Sequence, residues 1–333
     1  GRFGQSSIIN DRLSGRIINA PEHVDQNGKL SPALISEAAM QNEKPGGHGD
    51  RAGAVAAIEL AAWDLKAKLN NEPAYATIAS AFKRKVYRTG TSVYAAGGYY
   101  YTGDSLENLK SELKDYRDKG YTSFKIKIGG DSLVKDMRRI ESALEVAIEG
   151  NALSVDANGR FKLKEALQYA RAISPLNLKW FEEPGDPLDF QLNKTLISEY
   201  QRPVAVGENL FSSSESLNLI RYGGMRPKVD IFQMDPGLSY GLTEYNKMLT
   251  DLESRGFNRQ ECLPHGGHLI NLHIAIGLEL GGCEAYPGVF QPFGGFSDDC
   301  IIDEGLVTPP LAPGFGIETK SEIAQHLKAL CGD

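Results

Sequence analysis

The sequence predicts a closed (β/α)8-type barrel of parallel strands. Three observations carry this. From residue 90 onward one unit recurs: a short β-rich run, a polar stretch with helical periodicity, then another run. Eight such runs follow one another: "TSVYAAGG" (91–98), "SFKIKIGG" (123–130), "ALSVDANG" (152–159), "KWFEEP" (179–184), "PVAVGEN" (203–209), "IFQMDPG" (231–237), "ECLPHGG" (261–267) and "GGCEAYPG" (281–288). Strands alternating with helices imply a parallel sheet, and eight repeats suffice to close it. An open doubly wound sheet is the alternative, but no G-x-G-x-x-G follows the first strand, so a dinucleotide site is unsupported.

Each element has its own signal. "SLENLKSELKDYRDKG" and "SLVKDMRRIESALEVAIEG" are helical partners of the first strands. Residues 1–88 differ from the repeat. "AGAVAAIELAAWDLKAKLNN" reads as a long amphipathic helix between loop-like stretches, "EHVDQNGKLSP" and "NEKPGGHGD", so this part is expected to be a helical cap. The barrel is expected over residues 89–307. The tail from 308 to 333 opens Pro/Gly-rich and then turns helical, and should leave the barrel and return to the cap.

Composition sets limits. Across 333 residues, 36 Lys and Arg face 43 Asp and Glu, a net charge of −7. This argues against a nucleic-acid or anionic-membrane partner. No apolar run is long enough to span a bilayer. Cys262, Cys283, Cys300 and Cys331 form no C-x-x-C pair and read as free thiols of a reducing, cytoplasmic compartment.

In such barrels chemistry gathers at the C-terminal ends of the strands. Those ends carry, in order, Lys125 and Lys127, Asp156 and Asn158, Glu182 and Glu183, Glu208 and Asn209, Asp235, His265, and Glu284. Asp156, Glu182 and Glu208 are each one repeat apart, so three carboxylates on adjacent strands would meet at one mouth and repel. A hard divalent cation with oxygen ligands resolves this, and Mg²⁺ suits carboxylates best. The plainer alternative is that each acid caps a helix or pairs with an arginine.

The run "SFKIKIGG" places Lys125 and Lys127 on one face of a strand and Phe124, Ile126 and Ile128 on the other. Buried ammonium groups need counter-charge, and an acidic site supplies it. Two such groups roughly 7 Å apart lower each other's pKa. Lys127, nearer the mouth, is the expected base, with Lys125 keeping its charge to hold substrate. His265 in "LPHGGH" is either a core histidine or the acid of the site. Asp235, one strand earlier, can fix its tautomer and raise its basicity. His268 and His273 read as structural.

Together K-x-K, D-x-N, E-E-P, G-E-N and a late histidine with an Asp partner resemble the mandelate racemase-like group of the enolase superfamily, over essentially the whole chain. The resemblance implies a modified (β/α)7β barrel and an N-terminal β-meander completing the cap; this chain begins after it. "NEKPGGHG", "VYAAGGYYY", "VDANGRF", "GDPLD", "GENLF", "RYGGMRP" and "FQPFGGF" narrow the likeness to the D-tartrate dehydratases. That implies Mg²⁺ on Asp156, Glu182 and Glu208, Lys127 as the base, His265 with Asp235 as the acid, and Lys44 as a substrate contact. Lys125, Asn158 and Glu284 complete the expected substrate-binding set. The expected reaction is dehydration of a small hydroxy-carboxylate, D-tartrate to oxaloacetate, in a homo-oligomer. Pro184 in "EEPGDPLD" departs from the dehydratase pattern. A racemase on the same residues, and a non-catalytic ligand-binding descendant, are the alternatives.

Overall fold

A computed structural model describes residues 4–103 and 105–331. Its centre is a ring of parallel strands: β1 (Thr91–Gly97), β2 (Phe124–Lys127), β3 (Leu153–Asp156), β4 (Phe181–Glu182), β5 (Val204–Val206), β6 (Ile231–Phe232) and β7 (Cys283–Ala285). β1 to β6 pair in sequence order, and β7 pairs back onto β1. The stave between β6 and β7 is a single bridge, Phe232 to Cys262, extended by the Leu263 amide donating to Phe232 O. All eight predicted runs therefore occupy barrel positions. The barrel is of the (β/α)7β kind, since the last strand returns to the first without a closing helix of its own.

The helices form where the sequence caps them. Ser105 accepts from the Asn108 amide to start Leu106–Asp118, Asp189 accepts from Leu192 to start Phe190–Tyr200, and Ser212 accepts from Glu215 to start Ser213–Tyr222. His268 does the same for Leu269–Gly277 by accepting from the Asn271 amide. Their inner faces bury leucines and isoleucines against the barrel. Phe124 and Ile126 of β2 share one apolar cluster with Leu109, Leu113 and Ile140 of the flanking helices. The alternation read in "FKIK" is thus resolved: apolar side chains to the helices, lysines to the barrel axis.

The N-terminal part is helical, as expected. Pro32–Ala39 and Asp50–Leu69 pack together, and a single antiparallel bridge joins Val24 to Leu30. Before them Ile8–Leu13 is wound as a wider π-helix between short α-helical turns, which no sequence signal announced. Glu59 anchors the cap to the barrel. Fully buried, it accepts from the Leu242 and Thr243 amides and the Thr243 hydroxyl, at the start of Leu242–Glu253. A carboxylate at a helix N-terminus satisfies amides the helix cannot.

Near its end the chain forms a hairpin of β8 (Ile301–Asp303) and β9 (Leu306–Thr308), with β9 antiparallel to β1. The tail then reaches the cap: the Ala74 amide donates to Gly314 O, the Phe315 amide to Asp64, and Lys68 pairs with Glu318. Cys262, Cys283 and Cys300 are free thiols; the side chain of Cys331 lies outside the described residues. No described helix is long and apolar enough to cross a membrane.

Candidate active site

Parallel register sets the site. Lys127 stands opposite Asp156, and Asp156 opposite Glu182, so an amine and two carboxylates occupy one row across β2, β3 and β4. Glu208 follows β5 and joins them. One oxygen from each of Asp156, Glu182 and Glu208 lies within 4.8 Å of the others.

The lysines fill the acidic centre. Lys125 is 1% exposed and lies 2.5 Å from Glu182 Oε1, 2.7 Å from Glu284 Oε1 and 3.6 Å from Asp156 Oδ2. Lys127 Nζ lies 2.5 Å from Asp156 Oδ2. Glu182 is also held by Trp180 Nε1 at 2.9 Å and Gln233 Nε2 at 2.8 Å. Asn158 donates its backbone amide to Asp156 Oδ1 and is itself exposed at the mouth.

Carboxylates nevertheless outnumber cations here. Burial and the charge of Asp156 push the Glu182 carboxyl upward. Burial and the charge of Glu208 push Glu183 upward too. Glu183 holds a left-handed backbone (φ 35°), and Asn209 Nδ2 bridges it to Glu208 at 3.1 Å and 3.2 Å. Glu208 Oε2 is buried without a hydrogen-bond donor. An under-satisfied cluster of hard oxygen donors is what a divalent cation of the Mg²⁺ or Ca²⁺ kind fits. The residues present therefore suit the expected metal.

Lys127 differs from the expectation in one respect. Burial and Lys125 both oppose its charge, as expected, but Asp156 outweighs them and holds the amine above its ordinary value. The lowering of Lys127 by Lys125 is smaller than the attraction of the acids around it.

His265 lies across this cluster, with Nε2 3.7 Å from Glu208 Oε2 and Nδ1 3.1 Å from Asp235 Oδ2. Burial opposes its charge, but Glu208 and the Asp235 hydrogen bond raise it to about 10. Asp235 is fixed in turn by the Gly237 amide at 2.7 Å. Glu284 is buried between Lys125, the Gly266 amide and the Tyr286 hydroxyl; burial opposes its charge, yet Lys125 and His265 hold it down at about 2.

Lys44 is the exception among the expected site residues. It is exposed in the loop before Asp50–Leu69, where its carbonyl accepts from Arg51, and no side-chain contact joins it to the carboxylates. His268 and His273 are structural, the first a helix cap and the second stacked on Tyr75. Sequence reasoning missed three aromatic neighbours. Tyr94 lies under Lys125 at 5.3 Å, Tyr99 beside Lys127 at 5.1 Å, and Tyr286 Oη 3.2 Å from His265 Nε2. The signal was available: "VYAAGGYYY" and "EAYPG" put tyrosines at two strand ends.

Residues 108–323 match the family described as enolase C-terminal domain-like. The chain belongs to the enolase superfamily. Among curated relatives it is 29% identical over 282 residues to the arabinonate dehydratase of Saccharolobus solfataricus, covering 82% of this chain and 72% of that protein. It is 28% identical over 280 residues to the L-talarate/galactarate dehydratase of Salmonella typhimurium, covering 84% and 64%. The Salmonella enzyme, solved with Mg and L-lyxarohydroxamate, superposes with a TM-score of 0.79 at 22% identity, over 98% of this chain and 78% of that one. The fold is shared.

Proposed function

We propose that the protein is a Mg²⁺-dependent hydro-lyase acting on an acid sugar or hydroxy-dicarboxylate, with D-tartrate to oxaloacetate as the particular reaction. One observation carries the reading: three converging carboxylates are flanked by an amine and an imidazole, each tied to its own acid, Lys127 to Asp156 and His265 to Asp235. Dehydratase relatives support the class, and the motifs around residues 44, 95 and 290 support the tartrate assignment.

Asp156, Glu182 and Glu208 would hold the ion. Bound there, Mg²⁺ supplies Lewis-acid stabilisation of the charge that develops on the substrate carboxylate, worth several kcal/mol. The chain's own residues do the rest. Lys127 takes the α-proton, and the C–H electron pair becomes the new C=C bond. With an ion held by Asp156, that carboxylate would no longer hold the ammonium form alone, and Lys127 would act as the neutral base. The β-C–O bond breaks, and His265 delivers the proton that lets hydroxide leave as water. The enol product then tautomerises to the keto acid. Lys125 and Glu284 set the buried charge balance behind the substrate, and Asn158 stands at the mouth to bind it.

A racemase is the second reading, favoured by the same pairing of Lys127 and His265, which suffices for proton exchange in both directions. Product analysis decides between them. Purified protein with Mg²⁺ is offered a panel of tartrates, pentonates and hexarates. The dehydratase reading expects stoichiometric keto acid from at least one of them; interconversion of isomers without keto acid replaces it with the racemase.

A further inference from the structure

The loop after β7, residues 286–295, is built as a rigid wall. Lys320, 6% exposed, reaches in from the C-terminal segment and donates to Gln291 Oε1 at 2.7 Å, Pro292 O at 2.5 Å and Gly294 O at 2.5 Å. The Gly295 amide donates to Gly267 O at 2.7 Å, which ties the wall to the turn carrying His265. Gln291 Nε2 closes back onto Tyr286 O at 3.1 Å.

On this fixed backbone Phe290 is anomalous twice over. Its φ is 60°, the left-handed region that bulky side chains rarely enter. The residue is 55% exposed, so burial does not explain why a large apolar side chain sits there. Backbone strain that the surroundings over-determine points to function. The ring packs on Tyr286 at 4.9 Å and on Tyr99 at 5.9 Å. Tyr286 touches His265, and Tyr99 lies beside Lys127. Phe290 therefore links the aromatic residue on the acid side to the one on the base side.

We propose that Phe290, with Tyr99 and Tyr286, forms the end wall of the substrate site and sets the chain length accepted, favouring a four-carbon over a six-carbon hydroxy-diacid. This deepens the hydro-lyase reading above and rests on it. A substrate held between Lys127 and His265 must extend along a wall that joins the two. An aromatic ring tied down there takes the space that the extra carbons of a longer acid would need, so the rejection is steric.

The test is binding without turnover. Calorimetric titrations of D-tartrate and galactarate, with Mg²⁺ present, are made on a Lys127→Ala protein and on the same protein carrying Phe290→Ala or Phe290→Leu. Phe290→Ala is expected to shift the affinity ratio toward galactarate by about tenfold or more, and Phe290→Leu by less. Circular dichroism melting verifies that each variant is folded. An unchanged ratio in folded Phe290→Ala overturns the proposal, as does failure of both acids to bind the parent protein. Keto-acid formation by the wild type, assayed separately, tests the hydro-lyase reading itself: tight, length-dependent binding with no keto acid would sink that reading alone.

Discussion

Two charge clusters of this chain are opposites. In the cap, one carboxylate meets three guanidinium groups: Glu43 accepts from Arg12, from Arg16 at 2.7 Å and from Arg51 at 3.0 Å. Burial opposes the charge of Glu43, yet these hydrogen bonds hold its carboxyl down at about 2. At the barrel mouth, Asp156, Glu182, Glu183, Glu208 and Glu284 share two lysines and a histidine, and Glu208 Oε2 has no donor. The first cluster is complete in the protein alone. The second is not, and incompleteness is the mark of a place meant to receive something. A close-packed fold satisfies its buried polar groups unless another requirement intervenes.

The largest effects should follow from breaking the incomplete cluster. Lys127→Ala should abolish keto-acid formation and solvent-deuterium exchange of the α-proton together, because proton removal comes first. Exchange at the wild-type rate would reassign the base to His265. Glu208→Gln should lose divalent-ion affinity in calorimetry and lose activity with it. Its melting temperature without metal should hold or rise, since the change removes repulsion from a crowded site. Full turnover by this variant in chelating buffer would refute the metal assignment.

Next comes His265→Asn. Keto acid should fall by about 10² to 10⁴-fold, as for loss of a general acid, while exchange catalysed by Lys127 persists. The imidazole is active when protonated, so kcat in the wild type should fall as pH rises through its pKa in the complex. Asp235→Asn removes a carboxylate that raises that pKa, and should bring the fall to lower pH. An unmoved profile would show that Asp235 does not tune His265.

The smallest effect tests the complete cluster. Glu43→Gln should cost about 1–3 kcal/mol in stability by urea unfolding, because charge-assisted bonds to a buried carboxylate are lost. The sign with pH follows from its lowered carboxyl. The stabilisation is fully present above its ordinary value near 4.5 and fades as pH falls through about 2. The gap between wild type and variant should therefore narrow on acidification. A gap that widens instead would make the arginine cluster a source of strain.

The comparison also shows what a sequence exposes. Barrel strands were readable because each short β-rich run ended in a polar residue at a fixed place, and parallel register then aligned Lys127, Asp156 and Glu182. Asp235 and His265 followed from adjacent staves. What escaped depended on approach between distant segments. Glu183 meets Glu208 through Asn209, and Tyr286 and Tyr99 meet through Phe290. The β8–β9 hairpin is only two three-residue strands with exposed Ile301 and Leu306, too short and too open to show alternation. For Lys127, the neighbour Lys125 is legible two residues away, whereas the opposing pull of Asp156 is legible only once the strands are paired. Lys44 rests on its motif alone, since its exposed side chain in the loop before Asp50–Leu69 has no strand register to place it.

The central claim is that the incomplete cluster becomes a proton-abstracting site when a divalent ion completes it. Nuclear magnetic resonance of D-tartrate in deuterated water, with wild-type protein and first Mg²⁺ then excess chelator, tests this directly. The account predicts loss of the α-proton signal with keto acid appearing when Mg²⁺ is present, and neither change under chelator or with Lys127→Ala. Proton loss that continues at the same rate under chelator would contradict it.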